Sequence, residues 1–473
     1  MFPLRYNSPK TSKRLDCKYH HPKYAKLDKI LSKWQPLNDS IDVTDGEHGE
    51  RMYVDNGILF LRITNIKEEG FDLETVKYIS SIDHYGRLKR ARLLPQNVVM
   101  TTTGTVGVSQ IIPRDFPEAN ISADVVKITV KDQNKILPKY LSLFLNSELG
   151  RSQTWRLSTG GSRDRIIQKE VYNIRMKVPS LEFQTKIVQS TNTVLNKATQ
   201  KLNEYKQTVT NISSILAEKL QLNTSKMLSQ TFIVKEVDLS KRMDCFSNSP
   251  DYKRLLRNLT ESKKKGNFDI VLGKDLNLPE VKIGRMEFEK IKLSTYRYID
   301  IGCTNKDFGD VLDYEENILL NLPSRARQKI QTNDVLLPRP IGSTDGVVIV
   351  PEQYDGQICS TGFIVIRPKD RKEALLLWAI LKSEIVQRQF FFLQSGSIQP
   401  EITPTNFRKH VRIPIPQNSV QDEIIEETSE RIKKAKQTLQ EYKEMRKFAR
   451  DTFEKMVLNA HATSERSKNS SKP

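Results

Sequence analysis

The sequence predicts an α+β fold in which two duplicated α/β-type modules are separated by two long helices that form an antiparallel coiled coil. Three observations predict it. A set of motifs recurs in the second half of the chain, each half ends in a heptad pattern, and β-rich runs alternate with short helical patterns elsewhere. A chain of 473 residues is also long enough for about three folded units.

The duplication begins near the start of each half. The opening Arg14-Leu15-Asp16-Cys17 recurs as Arg242-Met243-Asp244-Cys245, and both openings are followed by a Pro and a Tyr at the same spacing. Further along, the offset becomes 237 residues, as between Pro179 and Pro416. We interpret the Arg and Asp of each opening as a salt-bridged structural anchor.

Two long helices are predicted by heptad patterns. Apolar or small residues recur at alternating spacings of three and four over 188–216, and again over 425–453, where Arg446 is the exception. Neither stretch contains Pro or Gly, and a helix of some 35 residues would be a rod about 50 Å long, able to hold two globular heads apart. The expected pairing seam includes Leu195, Leu202, Tyr205, Val209, Ile432, Leu439 and Tyr442.

The remaining sequence predicts two mixed modules. Strands are expected at Ile58–Ile63, Asn97–Met100, Val125–Ile128, Gly346–Val350 and Phe363–Ile366, and helices at Tyr140–Ser147 and Ala374–Val386. The expected divisions are 1–180 for the first module, 181–229 for the first helix, 230–416 for the second module, 417–460 for the second helix and 461–473 for a disordered tail.

The charge of the chain favours a polyanionic partner. Lys and Arg number 76 against 57 Asp and Glu, a formal net charge of +19. Nucleic acid is the first candidate and an anionic membrane surface is the alternative. No apolar run approaches the roughly 18 residues of a spanning helix, and the start Met1–Arg5 has no signal-peptide core, so we expect a cytoplasmic protein without a membrane partner.

Motifs for catalysis and for cofactors are missing from the sequence. It contains no phosphate-binding GxxxxGK[ST] loop, no HxxxH or HExxH, no CxxC, and no Asn-Pro-Pro-Tyr or Asp-Pro-Pro-Tyr of the kind adenine methyltransferases use. The fragment Pro279–Lys282 resembles part of a nuclease motif but lacks an upstream acidic partner. We therefore expect no enzyme activity, no metal and no cofactor in this chain.

The ordered, duplicated motifs resemble one family, the specificity subunits of type I restriction enzymes. The resemblance covers about residues 14–460 and is carried by the two openings, by Phe60–Ile66, by Ser158–Ser162, and by the prolines 179 and 416 that lead to Gln184 and Gln421. The second half departs from the pattern, because Tyr298–Cys303 stands where a Thr-Asn-Ile tripeptide is expected.

The resemblance implies a function in phage defence. Each module would be a target-recognition domain that reads one half of a bipartite site in double-stranded DNA, and the helices would set the spacing and dock two methyltransferase subunits. Those subunits would carry S-adenosylmethionine for DNA methylation, and restriction-translocase subunits would use ATP and Mg²⁺.

Residues that could contact DNA are Arg, Lys, Gln, Ser and Thr in Gly-containing or basic loops. The candidates are Lys89, Arg90, Arg92, Thr103, Thr105, Thr159, Ser162, Arg163, Arg165, Arg325, Arg327, Arg339, Ser343, Thr344, Ser395, Ser397 and Gln399. The segments Thr159–Arg165 and Gln394–Gln399 are favoured because they recur at corresponding places in both halves.

Alternative interpretations stay open at this point. A basic cluster is also typical of a solvated face without a ligand. The same heads would suit a specificity subunit of another, type II-like defence system. A basic coiled-coil scaffold with lectin-like or membrane-surface heads would explain the charge and the heptads, but it would leave the ordered duplication unexplained.

Overall fold

The computed structural model describes residues 18–46, 52–160, 164–222 and 246–469, and describes side chains as far as residue 460. The chain divides into two compact units, which are residues 1–201 with 440–473 (unit 1) and residues 202–439 (unit 2). The duplicated openings at Arg14–Cys17 and Arg242–Cys245 lie outside the described residues.

Unit 1 contains eleven short strands and five short α-helices among its described residues, in addition to single 3-10 turns. The strands are β1 Gln35–Pro36, β2 Ile41–Asp45, β3 Ile58–Leu61, β4 Ile66–Lys67, β5 Gly70–Phe71, β6 Lys77–Ile79, β7 Val98–Thr101, β8 Ser109–Ile111, β9 Ala119–Ile121, β10 Val125–Val130 and β11 Arg175–Met176. The helices are α1 Ala25–Leu31, α2 Ser81–Tyr85, α3 Pro138–Asn146, α4 Glu148–Leu157 and α5 Gln168–Val171.

The central strand of unit 1 is β7, which is buried on both faces. It lies in an antiparallel sheet of order β2-β10-β7-β8. Successive side chains of a strand point to opposite faces, so Val98 and Met100 pack in a cluster with α3, whereas Val99 packs in a second cluster with Leu61 and Ile121. A smaller sheet of order β6-β3-β9 supplies that second cluster, and its β3 and β9 are parallel.

Unit 2 repeats much of this plan with nine strands and five short α-helices among its described residues, in addition to single 3-10 turns. The strands are β12 Phe268–Leu272, β13 Thr295–Ile299, β14 Glu315–Ile318, β15 Ala326–Lys329, β16 Val335–Pro338, β17 Val348–Ile349, β18 Ile358–Ser360, β19 Phe363–Ile366 and β20 Arg412–Pro416. The helices are α7 Pro250–Lys263, α8 Arg285–Ile291, α9 Arg371–Lys382, α10 Glu384–Phe392 and α11 Pro404–His410.

The strand β16 has the position in unit 2 that β7 has in unit 1. It lies between β17 and β19, with Val335 and Leu337 on the side of α9 and Leu336 on the opposite side. The parallel pair recurs as β13 and β18. The predicted strands are thus confirmed as β3, β7, β10, β17 and β19. The duplication extends to strand order and direction for β10-β7-β8 and β6-β3-β9, which recur as β19-β16-β17 and β14-β13-β18, whereas β2 and β15 have no counterpart in the matching sheet.

One predicted helix is divided into two. The sequence predicted a continuous helix over Ala374–Val386, but α9 ends at Lys382 and α10 begins at Glu384. The backbone of Ser383 is extended, with ψ of 145°, and its hydroxyl donates to the carbonyl of Ile380. The same break occurs in unit 1 at Ser147, whose hydroxyl donates to the carbonyl of Phe144 at 2.7 Å. A serine can satisfy a helix end in this way, which apolar periodicity does not reveal.

The long helices are α6, Leu181–Lys219, and α12, Asn418–Asn469. The helix α12 continues past residue 460, where the sequence analysis expected a disordered tail to begin. No Pro or Gly interrupts residues 461–469, and Ala, Glu, Arg and Lys there favour a helix, so a polar composition alone did not mark its end. The expected continuation of the first helix to residue 229 lies partly outside the described residues.

Within unit 2 the two long helices pair antiparallel. Lys219 forms ion pairs with Glu427 and Glu423 at 3.2 and 3.1 Å, whereas Glu204 approaches Lys434 at 3.8 Å, so the partner number falls as the α6 number rises. Apolar seam residues form one cluster in this unit, which contains Leu202, Tyr205, Val209, Ile432, Ala435 and Leu439. The predicted antiparallel coiled coil is confirmed here.

The other two predicted seam residues lie in unit 1 and contact its globular part. Leu195 packs against the cluster that contains Tyr140, and Tyr442 donates a hydrogen bond to Glu69. Arg446, the exception in the heptad pattern, binds the carboxylate of Glu68 at 2.6 Å. The second helix therefore departs from an apolar pattern where it meets the β4–β5 turn.

Gly309 provides a test of packing in unit 2. Its φ is +68°, and an added Cβ would lie 2.4 Å from both Trp378 Nε1 and the Val347 carbonyl oxygen, which are hydrogen-bonded at 2.8 Å. We expect Gly309→Ala to lower the free energy of unfolding by about 3 kcal/mol, the sum of backbone strain and overpacking. Chemical denaturation monitored by tryptophan fluorescence would measure it.

Gly356→Ala is the matched control. Gly356 has nearly the same φ, +69°, but an added Cβ would meet no atom within 4 Å. This replacement should lower the free energy of unfolding by about 1 kcal/mol, because alanine strains a backbone with positive φ. Equal costs for the two variants would contradict the packing described around Trp378.

Candidate nucleic-acid interface

In unit 1 a hairpin follows α4 and docks on the end of the central strand. Thr159 and Arg165 exchange two backbone hydrogen bonds, each 2.8 Å, and Arg165 forms a β-bridge with Thr103 just after β7. The guanidinium of Arg165 donates to the carbonyl of Ala123 at 3.2 Å, and the hydroxyl of Thr103 donates to Asp124 at 3.1 Å. The end of β7, the β9–β10 turn and the hairpin therefore converge at one edge.

Unit 2 builds the same edge from corresponding segments. Ser395 and Glu401 exchange backbone hydrogen bonds of 2.8 and 2.9 Å, and Glu401 forms a β-bridge with Pro340, which follows β16. Gly396 adopts φ of +98°, a conformation that a residue without a Cβ tolerates. We call Thr159–Arg165 the first hairpin and Ser395–Glu401 the second hairpin.

The tip of the second hairpin presents side chains to solvent. Ser397, Ile398 and Gln399 are all exposed, and Ile398 is 93% exposed. In the first hairpin, Thr159 is exposed and Arg165 is half-buried. The predicted contacts Ser162 and Arg163 lie outside the described residues.

Arg339 holds the second hairpin in place. Its guanidinium donates to the carbonyl of Thr361 at 2.9 Å and also to the carboxylate of Glu401, and its side chain is only 22% exposed. The backbone of Thr361 donates in turn to the carbonyl of Arg325 at 2.9 Å, and Arg325 itself is exposed. Of these two predicted DNA contacts, Arg325 presents its charge to solvent, whereas the charge of Arg339 faces protein groups.

Thr344 requires a correction. The sequence analysis expected it to offer a hydroxyl to DNA, but the residue is 6% exposed and its hydroxyl donates to the side chain of Gln387 at 2.7 Å. Neighbouring Ser343 is half-buried in the turn that joins Pro340 to Gly346. The turn brings Thr344 against α10, a contact at long sequence separation that no local pattern indicates.

The basic cluster of unit 1 is organised around a lysine that the sequence analysis missed. Lys127 on β10 donates to the carbonyls of Arg90 and Arg92 at 2.7 and 3.0 Å. Burial, and then the charges of these two arginines, lower the pKa of Lys127. The guanidinium of Arg92 lies over the ring of Tyr85 at 4.6 Å, and Lys89 is exposed. Only the strand pairing that places β10 beside this loop could have indicated Lys127.

The other predicted contacts differ in accessibility. Arg90 is 62% exposed at its side chain and lies 3.1 Å from Asp45. Arg327 is half-buried and lies over the ring of Phe288 at 4.2 Å. Thr105 is exposed, and its carbonyl accepts a hydrogen bond from Thr101.

Two segments of the chain, residues 55–211 and 280–441, match the sequence model of the family described as the type I restriction modification DNA specificity domain. Together they cover more than half of the chain. The chain belongs to this family. Each of the two specificity domains contains one central strand and one hairpin, so the family match has the same duplication as the structure. The resemblance found in the sequence is confirmed.

Individual relatives share little sequence identity with this chain. The specificity subunit of the type I restriction enzyme EcoBI from Escherichia coli is 27% identical over 165 residues, which are 34% of this chain and 32% of that protein, so the aligned part spans about a third of the relative. The solved specificity subunit from M. genitalium is 12% identical with a TM-score of 0.36, over 89% of this chain and 95% of that one. The HsdS subunit from Thermoanaerobacter tengcongensis is 16% identical with a TM-score of 0.32, over 90% and 97%.

Across the described parts of the specificity domains and the helices between them, no helix has both the length and the apolar character that crossing a bilayer requires.

The role of Arg339 can be tested against that of Arg325. We expect Arg339→Gln to lower the free energy of unfolding by about 2 kcal/mol and to speed amide exchange at Ser395 and Glu401, because a partly buried carboxylate loses its charged partner. Arg325→Gln should change stability by less than about 0.5 kcal/mol, as for other exposed positions. Hydrogen exchange and urea unfolding of both variants would measure this, and unchanged exchange in Arg339→Gln would refute the positioning role.

Proposed function

We propose that this chain is the DNA-specificity subunit of a type I restriction-modification complex and has no catalytic chemistry of its own. In this proposal each unit reads one half of a bipartite site in double-stranded DNA. The observation that carries the proposal is the edge built twice, in which the same strand end and turn support a hairpin with different side chains in each unit. Family membership supports it independently.

The hairpins are suited to base readout. The major groove of B-DNA admits a two-stranded β-ribbon, and base edges there are distinguished by donors and acceptors such as Ser, Gln and Arg side chains. The second hairpin has Ser397 and Gln399 exposed at its tip, and the first has Thr159 and Arg165 at its stem. Because the two sets differ in chemistry, the two half-sites are expected to differ in sequence.

Exposed cationic side chains of the two units would supply affinity. Exposed Lys89 and Arg325 can neutralise phosphates and release counterions, which favours binding to any DNA sequence. The net charge of +19 agrees with such a partner. Among the predicted contacts, Arg339 is assigned a positioning role in this proposal, and Ser162 and Arg163 keep their predicted role in DNA contact.

Partners complete the proposed activity. The long helices α6 and α12 would dock two methyltransferase subunits, which would bring S-adenosylmethionine to each half-site. Restriction-translocase subunits would add ATP and Mg²⁺ and cleave unmodified DNA. The missing nucleotide and methyltransferase motifs in this sequence support a division of labour between subunits.

The first test of this proposal concerns the second hairpin. In the complete complex with its methyltransferase subunits, Ser397→Ala with Gln399→Ala should weaken or relax recognition at one half-site about tenfold and leave the other half unchanged, since a good base contact contributes about 1–3 kcal/mol. Methylation-sensitive long-read sequencing would report both halves of the modified motif.

Gln331→Ala is the control for that test. Gln331 is exposed in the turn before β16, at the opposite end of this strand from the second hairpin, and its replacement should leave the motif intact. A change in both halves of the motif would contradict modular reading. A chain that binds all DNA sequences equally would favour the scaffold alternative.

Salt dependence tests the phosphate contacts. We expect the slope of log affinity against log salt to fall in magnitude by about 0.9 for each of Lys89→Gln and Arg325→Gln, with similar losses on specific and random duplexes. Lys264→Gln, at the exposed end of α7, should leave the slope unchanged. If the slope of log affinity against log salt is the same in all three variants and in the unchanged protein, Lys89 and Arg325 do not contact phosphates.

A further inference from the structure

A cavity of about 60 Å³ lies in unit 1, where α3 meets parts of both long helices. A single water molecule needs roughly 10–15 Å³ of accessible volume, so the cavity has room for a small ion together with water. Apart from Leu143, Leu195, Ala449 and Phe453, its lining is polar or charged. None of these residues belongs to the hairpins or to the predicted DNA contacts.

The lining of the cavity has an excess of positive charge. Lys139, Arg446 and Arg450 line it together with one carboxylate, that of Glu68. Arg446 binds Glu68 at 2.6 Å, whereas Arg450 lies 3.9 Å from the same carboxylate. Lys139 forms no ion pair with any described carboxylate, and burial together with the charge of Arg446 lowers its pKa. Half-buried cations that share one carboxylate repel each other unless another anion balances them.

A buried hydroxyl also faces this space. Thr191 on α6 lines the cavity and is 2% exposed, and its Oγ1 has no hydrogen-bond partner among the described residues. A buried polar group without a partner is costly, so such a group commonly binds water or a ligand. The nearby polar side chains of Ser142 and Asn146 already bond to Ser109.

Unit 2 supplies an internal comparison. At the same offset of 237 residues, Thr428 corresponds to Thr191, and it is likewise buried with no hydroxyl partner among the described residues. The cations that line the cavity, however, are replaced. Leu375 corresponds to Lys139 at the offset of 236 that relates Ser383 to Ser147, and Val209 and Ser213 correspond to Arg446 and Arg450 at the offset of 237. Unit 2 instead has a buried lysine, Lys382, in place of Asn146, and its ammonium donates to the backbone carbonyls of Lys306 and Asp345. The positive charge there is satisfied by main-chain oxygens, whereas the cations that line the cavity of unit 1 face a single carboxylate.

We propose that the cavity of unit 1 is a binding site for a phosphate-sized inorganic anion. Lys139 and Arg450 would neutralise the anion, and the hydroxyl of Thr191 would donate to it, while Arg446 stays with Glu68. The bound anion links α3 to α6 and α12 and stabilises unit 1. This site is separate from the proposed DNA-reading edge and does not depend on it.

The test is thermal unfolding of the full chain with inorganic phosphate as the probe and chloride at matched ionic strength. At ten times the dissociation constant, phosphate should raise the Tm by about 4 °C over chloride. Thr191→Val and Arg450→Gln should lose most of this rise. Thr191→Val should also be at least as stable as the unchanged protein in chloride, because it removes a buried hydroxyl without a partner.

Matched variants separate this cavity from other basic surfaces that phosphate could bind. Thr428→Val makes the same change in unit 2, and Lys447→Gln removes an exposed charge from α12 near Arg450. Both should keep the full phosphate response. An equal response to chloride and phosphate, or a phosphate response that Thr191→Val and Arg450→Gln retain, would overturn the proposal.

Discussion

The double-sided burial of one central strand in each unit is the constraint on which the rest of the structure depends. In β7 and β16, neighbouring side chains enter different apolar clusters, so the strand must extend between a helical layer and a second sheet. Its carboxyl end then emerges at an edge where a turn and a hairpin meet it. A strand packed on both faces is held in register by its neighbours, because a shift of one residue would place each side chain in the other cluster, where it would not fit the close packing. The hairpin is thereby supported by a rigid element.

The two units show which parts of the duplication are structural and which differ in chemistry. Strand order, the parallel pair and the helix breaks at Ser147 and Ser383 recur, because backbone hydrogen bonds and apolar packing set them. At the hairpin stem, Arg165 in unit 1 corresponds to Glu401 in unit 2, and each is held by a different neighbour. A common frame with divergent edge residues agrees with the proposed reading of two different half-sites.

Much of the frame could be predicted from the sequence, since local periodicity carries it. Heptads located both long helices, and apolar runs located β3, β7, β10, β17 and β19. Predictions for the site were weaker, because charge and loop composition do not say what a side chain contacts. Arg339 pairs with Glu401 and Thr344 with Gln387, in each case across more than 40 residues of sequence. The sequence did not indicate the role of Lys127 in the basic cluster, because Arg90 and Arg92, whose carbonyls it contacts, come from a different segment of the chain.

The sequence by itself determined the family, the duplication and the alternation of mixed modules with long helices, because these are recorded in repeated motifs and in the spacing of apolar residues. Only the tertiary structure decided which polar side chains are free. Arg446 interrupts the apolar heptad pattern because the Glu68 carboxylate lies beside it. Thr344 is shielded from solvent because its hydroxyl bonds to Gln387 on α10. Burial and partner choice arise from contacts between distant segments, and residue spacing carries no record of those contacts.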